Sequence, residues 1–302
     1  MTRAAEYLDT SLKKGGRGRA KKSLDLIEAM TAIAEAAQPI TGRGVGYKLF
    51  TAGLIPSMSR SDMQRVYRLL KEAREDGIIP WHWIVDETRD LEREPSWDDP
   101  DEFARAASRQ YRRDFWSQQP ERCEVWSEKG TVRGVIAPVL DEYGVGFRVM
   151  HGFTSATNAH DIALDNDGRP LTALYVGDWD PSGLCMSERD LPARFEKYDG
   201  DHVLLHRITL VQDDLANLPS FPASDKRTDP RYKWYIQKYG DRCWEVDALD
   251  PNELRDRVEA HIRISITDTG AWQRSERVNK AERESLQYVL SNWAGRASGR
   301  RQ

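Results

Sequence analysis

The 302 residues are 31% charged and 39% apolar with a net charge of −4, the balance of a folded chain with a sizeable core rather than a disordered one. No apolar run approaches the roughly 20 residues of a membrane helix. Met1–Lys22 is polar and basic without the apolar stretch of a secretory signal, and Cys123, Cys185 and Cys243 stand too far apart for a zinc or disulfide framework. A cytoplasmic protein with reduced thiols is expected, and the negative balance excludes one that coats nucleic acid by bulk charge alone.

In chain order, residues 1–22 form a flexible basic leader that serves either as an arm touching phosphate or as a solubilising terminus. Ser23 is placed to cap a helix whose apolar positions Ile27, Met30, Ala34 and Ala37 recur every three or four residues. Thr41 caps a second helix carrying Val45, Leu49 and Phe50. A third runs from Ser61 to about Asp76, with Met63, Val66, Leu69, Leu70 and Ala73 inward and Gly77 as its stop. Ile78–Val85, short, apolar and aromatic, reads as strand. Three helices and a small strand pair describe a winged helix-turn-helix over residues 23–95, ending in an Asp-, Glu- and Arg-rich linker. A connecting helix follows within 96–120, from Asp101 to Gln119, with Phe103, Ala107, Tyr111 and Phe115 on one face.

From residue 121 to 265 the pattern changes to alternating strands and helices. Glu124–Trp126 is a strand, Thr131–Tyr143 a helix ended by Gly144, Gly146–Met150 a strand and Thr154–Leu164 a helix. Leu171–Val176 is a strand of the fully buried parallel type, and Val203–Leu205 extends the sheet. This is an α/β domain with a parallel sheet. Residues 266–302 form a C-terminal helical segment and a basic tail bearing Arg296, Arg300 and Arg301.

Working residues of such sheets sit just beyond the carboxyl ends of the strands. Glu128 falls there after one strand, and Asp178 and Asp180 after another, in the turn Gly177-Asp178-Trp179-Asp180-Pro181-Ser182-Gly183. An Asp-x-Asp alone is usually a solvated turn. Three carboxylates at neighbouring strand ends are hard oxygen ligands suited to Mg²⁺, which keeps some waters and shares phosphate oxygens. Arg207, Lys226, Arg227 and Arg231 are candidates to line a DNA groove, and Glu245 or Asp247 to supply an outer carboxylate; surface charge and a strand edge explain each of these slightly better. His151 and His160 read as a cap or a packed imidazole, and Trp81, Trp83, Trp126 and Trp179 as core or site wall.

Glu128-Lys129-Gly130, His151-Gly152-Phe153-Thr154-Ser155 and the Gly177–Gly183 turn together resemble the Toprim domain. More narrowly, they resemble its variant in the A subunit of topoisomerase VI and in the meiotic double-strand-break transesterase. Arg43–Phe50, Ala73–Gly77 and Asp86–Arg89 resemble the winged-helix module that precedes Toprim in that family, so that the likeness covers most of residues 40 to 265. The resemblance implies Mg²⁺, or Mn²⁺, on Glu128, Asp178 and Asp180, with Tyr47 as nucleophile and Arg43 one helical turn before it. It implies a nucleoid-associated homodimer in which each tyrosine meets its partner's metal site on double-stranded DNA, with Lys48, Arg74 and Lys129 among the phosphate contacts. No ATP-binding signature is present, so ATP-driven strand passage would need a separate B-type ATPase subunit. Gly46 departs from the family, which carries a bulky aromatic there.

Three functions compete on this reading. A transesterase would leave a 5′-phosphotyrosyl link, a hydrolytic Toprim nuclease would use water, and a non-catalytic subunit would only bind DNA.

Overall fold

The computed structural model describes residues 21–85, 96–150 and 156–298. The basic leader up to residue 20, the Asp86–Arg89 motif, His151–Ser155 and the tail beyond 298 lie outside them.

Helices α1 (Lys21–Ala37), α2 (Gly42–Thr51) and α3 (Arg60–Glu75) pack around Met30, Ala34, Val45, Leu49 and Val66, the positions that the helical spacing marks as inward. Helix α1 already runs from Lys21, so Ser23 lies inside it rather than capping it. Thr41 does cap α2, accepting the Gly44 amide at 2.9 Å. Helix α3 starts earlier than expected because Ser59 takes the cap, and Gly77 ends it at φ 73°. The strand expected over Ile78–Val85 is mostly absent. Pro80 leads into a short 3₁₀ turn, Trp81–Trp83, and only β2 (Ile84–Val85) is extended, pairing in parallel with β1 (Ile40–Thr41).

Helix α4 (Pro100–Gln110) stops well short of Gln119. Long-range contacts win over local periodicity: Tyr111 and Arg113 turn to Glu282 of α11 (Thr269–Ser298), at 2.7 and 2.8 Å. The buried face of α4 is Ala104 and Ala106, while Phe103 stays exposed against Trp97.

The second unit is a four-stranded parallel sheet of β3 (Arg122–Ser127), β4 (Gly146–Val149), β5 (Leu171–Val176) and β6 (Val203–Arg207), in the order β4-β3-β5-β6. Every residue of β5 is buried. Leu174 and Val176 face one layer, containing α5 (Thr131–Tyr143) and later α10 (Pro251–Ser265), whereas Ala173 and Tyr175 face the other. That other layer holds α6 (Ala156–Leu164) and α8 (Leu191–Lys197); α7 (Pro181–Cys185), whose Leu184 packs with the first layer, runs into α8 through a widened π-helical turn at Met186–Asp190. Gly144 closes α5 at φ 62°. A small antiparallel pair of β7 (Phe221–Pro222) and β8 (Arg242–Cys243), with α9 (Tyr232–Tyr239) between them, lies beyond β6. Among the described residues no helix is long and apolar enough to cross a membrane.

Candidate active site

Strands β3 and β5 end at one level, because Ser127 and Val176 are register partners. Glu128 and the Gly177–Gly183 turn therefore leave the sheet side by side, as loops at the carboxyl edge of adjacent parallel strands do. The turn is drawn tight by two features. Asp180 caps α7 by accepting the Gly183 amide at 2.8 Å, and Pro181 follows at the first helical position. Gly183 sits against the preceding chain, where an added Cβ would lie 2.3 Å from the Asp178 carbonyl oxygen. Only glycine permits that approach.

Each carboxylate already has a cation or a donor. Lys129 Nζ lies 3.0 Å from Asp178 Oδ1 and 2.9 Å from Asp247 Oδ2, and Lys226 Nζ lies 3.0 Å from Asp180 Oδ2. Ser182 Oγ donates to Glu128 Oε1 at 2.9 Å, and the Val246 amide to Asp178 Oδ1 at 2.8 Å. Burial raises the Glu128 carboxyl above the usual carboxylate range, and burial with the like charges of Asp180 and Glu245 pushes Asp178 up to about 6 against the pull of Lys129. Burial opposes ionisation of Asp247 as well, but Lys129 and Thr41 outweigh it and hold that carboxyl low. Lys129 stays charged for the same reason: Asp178, Asp247 and Glu245 overcome its own desolvation. Among the described residues no three His, Cys, Asp or Glu side chains converge closely enough to hold a metal ion as they stand. Glu128, Asp178 and Asp180 nevertheless offer hard oxygen donors from two adjacent strand ends, the donor type that Mg²⁺ takes.

Residues 244–250 tie this centre to the helical unit. Trp244 pairs with Trp179 through two 3.0 Å backbone bonds, Glu245 grips the Arg43 guanidinium, and Asp247 accepts from Thr41 Oγ1 at 2.6 Å. Asp250 pairs with Lys48 at the far end of α2. The segment thus reaches both the acidic turn and the first and last turns of α2.

Between the two units lies a cleft of about 970 Å³. Glu128, Lys129, Asp178, Asp180, Lys226 and Arg231 line its sheet side; Arg43, Tyr67, Lys71, Arg74 and Trp81 line its helical side. Of the residues singled out in the sequence, the cleft brings together the three carboxylates, Arg43, Arg74, Lys129, Lys226 and Arg231, the last also paired with Asp229 at 2.6 Å. Lys48, Arg207 and Arg227 do not line it. Lys48 is held by Asp250 and Arg227 is exposed elsewhere. Arg207 is a strut rather than a cleft residue: it donates to the carbonyls of Gly177 at 2.9 Å and Gly183 at 2.7 Å and to Ser187 Oγ at 3.1 Å, knitting the acidic turn to the π-helical turn.

Tyr47 is 4% exposed and opens onto a neighbouring cavity of about 510 Å³, with Arg43 and Lys226 lining both spaces. Burial and Glu245 raise its phenol above the ordinary value, against the opposing pull of Arg43, whose guanidinium lies 5.8 Å from the ring centre. Gly46 has a packing reason, since a Cβ there would lie 2.5 Å from Met63 Sδ and Cε. The sequence reading missed Tyr67, Lys71 and Ser182 as site residues. Tyr67, Lys71 and Arg74 share one face of α3 by their spacing, and that was the available signal. His160 is half exposed on α6, edge-on to Tyr198, and Trp83 packs against the helical core. Trp126 and Trp179 are buried, and Trp81, though exposed, lines the cleft, in keeping with core or site wall.

No family model matches the chain, and neither does any curated protein.

Proposed function

We propose that this chain is a metal-dependent DNA-cleaving protein on the plan of the topoisomerase VI A subunit, its helical unit acting as a winged-helix module and its sheet unit as a Toprim domain. One observation carries the proposal: a single cleft sets the carboxylates Glu128, Asp178 and Asp180 of two adjacent strand ends opposite the cations Lys71 and Arg74. A phosphodiester bound there has positive charge for its backbone on one side and metal-binding oxygens on the other. Glu128, Asp178 and Asp180 would hold Mg²⁺ or Mn²⁺, which when bound supplies charge neutralisation at the scissile phosphate. Lys129 and Lys226 balance those carboxylates otherwise.

Tyr47 is the attacking group on this reading. Its oxygen forms a bond to phosphorus, the 3′-oxygen departs and takes up a proton, and the products are a 5′-phosphotyrosyl link and a free 3′-hydroxyl. Arg43, 5.8 Å from the Tyr47 ring centre, would stabilise the phenolate and the phosphate once it leaves Glu245. The resemblance extends to a homodimer on double-stranded DNA, with any ATPase on a separate subunit. The burial of Tyr47 favours a second reading, in which water attacks and the breaks carry no protein.

Supercoiled plasmid incubated with Mg²⁺ or Mn²⁺, quenched with detergent and run with and without protease separates these. Breaks that carry protein in the wild type and vanish in Tyr47→Phe support the tyrosine route. Protein-free breaks that survive Tyr47→Phe but not Asp178→Asn support hydrolysis. No metal-dependent break in any sample would overturn the cleavage proposal.

A further inference from the structure

The helical wall of the cleft carries more than charge. Tyr67, Lys71 and Arg74 lie at i, i+4 and i+7 on one face of α3, and the chain then turns at Gly77 to bring Trp81 alongside Arg74. Trp81 is 57% exposed and Tyr67 42% exposed, large fractions for aromatic rings inside a concave surface. The indole does not lie loose: the Arg74 guanidinium covers it at 4.3 Å. Tyr67 is seated beside Gly42, where a Cβ would come within 3.2 Å of its ring. Lys71 stands between the two rings in sequence, its side chain 70% exposed and only loosely paired with Glu75 at 3.5 Å.

A helix that reads an intact duplex needs donors and acceptors for base edges and cations for phosphate; paired bases keep their faces stacked inside the helix. Exposed aromatic faces interleaved with cations serve a different purpose, since every unpaired base offers a flat surface to stack on. The size of the cleft agrees. About 970 Å³ is at the top of the range for small-ligand sites, room for a few nucleotides of one strand rather than for both strands of a duplex.

We infer that the cleft takes a single-stranded or locally melted segment of DNA, its bases stacked on Trp81 and Tyr67 and its backbone steered by Lys71 and Arg74. This rests on the reading of the cleft as the DNA site and narrows its substrate from duplex to unpaired strand. Trp81 and Tyr67 are binding residues in this scheme. The strand they hold is presented to the wall that bears Asp178 and Asp180.

The test is binding of a fluorescently labelled oligo-dT and of a blunt duplex of equal length to the full chain in EDTA, where no cleavage intervenes. Wild type, Trp81→Phe, Trp81→Ala and Tyr67→Ala are compared by anisotropy. The single strand is expected to bind more tightly than the duplex. Trp81→Ala should weaken it about five-fold or more, Trp81→Phe should retain most of the affinity, and duplex binding should change less than two-fold. A duplex preference, or equal effects of Trp81→Ala on both ligands, overturns the inference. Metal-dependent breaks in fully paired DNA that Trp81→Ala leaves unchanged would also sink it, while leaving the proposed cleavage standing. Trp81-dependent binding of oligo-dT without cleavage under any metal would support it and count against the catalytic reading alone.

Discussion

On the sheet side of the cleft Asp178 and Asp180 are 9% and 3% exposed and each is met by a lysine, whereas on the helical side Tyr67 and Trp81 leave about half of their surface bare. The first wall is cross-tied: Lys129 joins two carboxylates, the Val246 amide fixes a third contact, and Gly183 wedges the turn against its own backbone. The second wall is largely one face of α3 continued by Trp81, on which the Lys71 side chain is 70% exposed. Buried, mutually compensated charges cannot move without leaving a partner stranded, but exposed side chains can be lost without touching the core. On the proposed function, stability and activity are therefore coupled on the sheet side and separable on the helical side.

The largest effect is expected where that coupling is tightest. Gly183→Ala drives a Cβ into the Asp178 backbone, with the carbonyl oxygen at 2.3 Å and no flexible side chain to yield. On the proposed chemistry a displaced acidic turn should cost about a hundred-fold or more in cleavage, and it should lower the melting temperature, both measurable on purified protein. Full activity in this variant would break the comparison outright.

Next in size is the pair Lys129→Met and Lys71→Met. Removing Lys129 leaves Asp178 and Asp247 facing each other without their shared cation, a loss of about 3 kcal/mol in urea unfolding. Lys71 makes only an exposed contact with Glu75, and its loss should cost about 0.5 kcal/mol or less. Equal costs at the two positions would erase the distinction between the walls.

A pH series sharpens it. Burial pushes the folded Asp178 carboxyl up to about 6, above the value near 4 of an unfolded chain. The protonated form is thus the one the fold prefers. Its contribution is complete below about pH 4 and is lost as pH rises to about 6. Asp247 has the opposite sign, since its folded value is held low; its contribution is present above about pH 4 and fades as pH falls through that low value. In EDTA, Asp178→Asn should gain stability relative to wild type between pH 5 and pH 7. A relative loss over that window would contradict the assignment.

The smallest change expected is Gly46→Ala. Helix propensity gains about 1 kcal/mol, offset by the Met63 side chain, which must swing from a 2.5 Å approach. Little net shift in the urea midpoint should result, whereas Gly46→Phe has no such escape and should unfold the helical unit.

The elements that local chemistry specifies were readable from the chain. Thr41, Gly77 and Gly144 end or begin helices where capping and left-handed turns require them, and Glu128, Asp178 and Asp180 sit at strand ends because the apolar runs before them stop there. What escaped depends on distant partners. Tyr111 leaves its helix for Glu282, Arg43 finds Glu245 202 residues away, and Trp81 lies in a turn rather than a strand because Ile84 pairs back to Ile40. Periodicity carries no record of such meetings.

The lysines of the acidic centre have a further consequence. Because Lys129 pairs with Asp178 and Asp247 and Lys226 with Asp180, the acidic centre does not depend on an ion to fold, and the protein in excess chelator should still melt cooperatively. On the proposed chemistry, an arriving divalent ion would free Lys226 from Asp180 beside the cleft, where it becomes an anchor for phosphate, while Lys129 keeps Asp247. Ion and nucleic acid would then strengthen each other's hold by the same factor, a reciprocity that titrating either one in the presence of the other would measure.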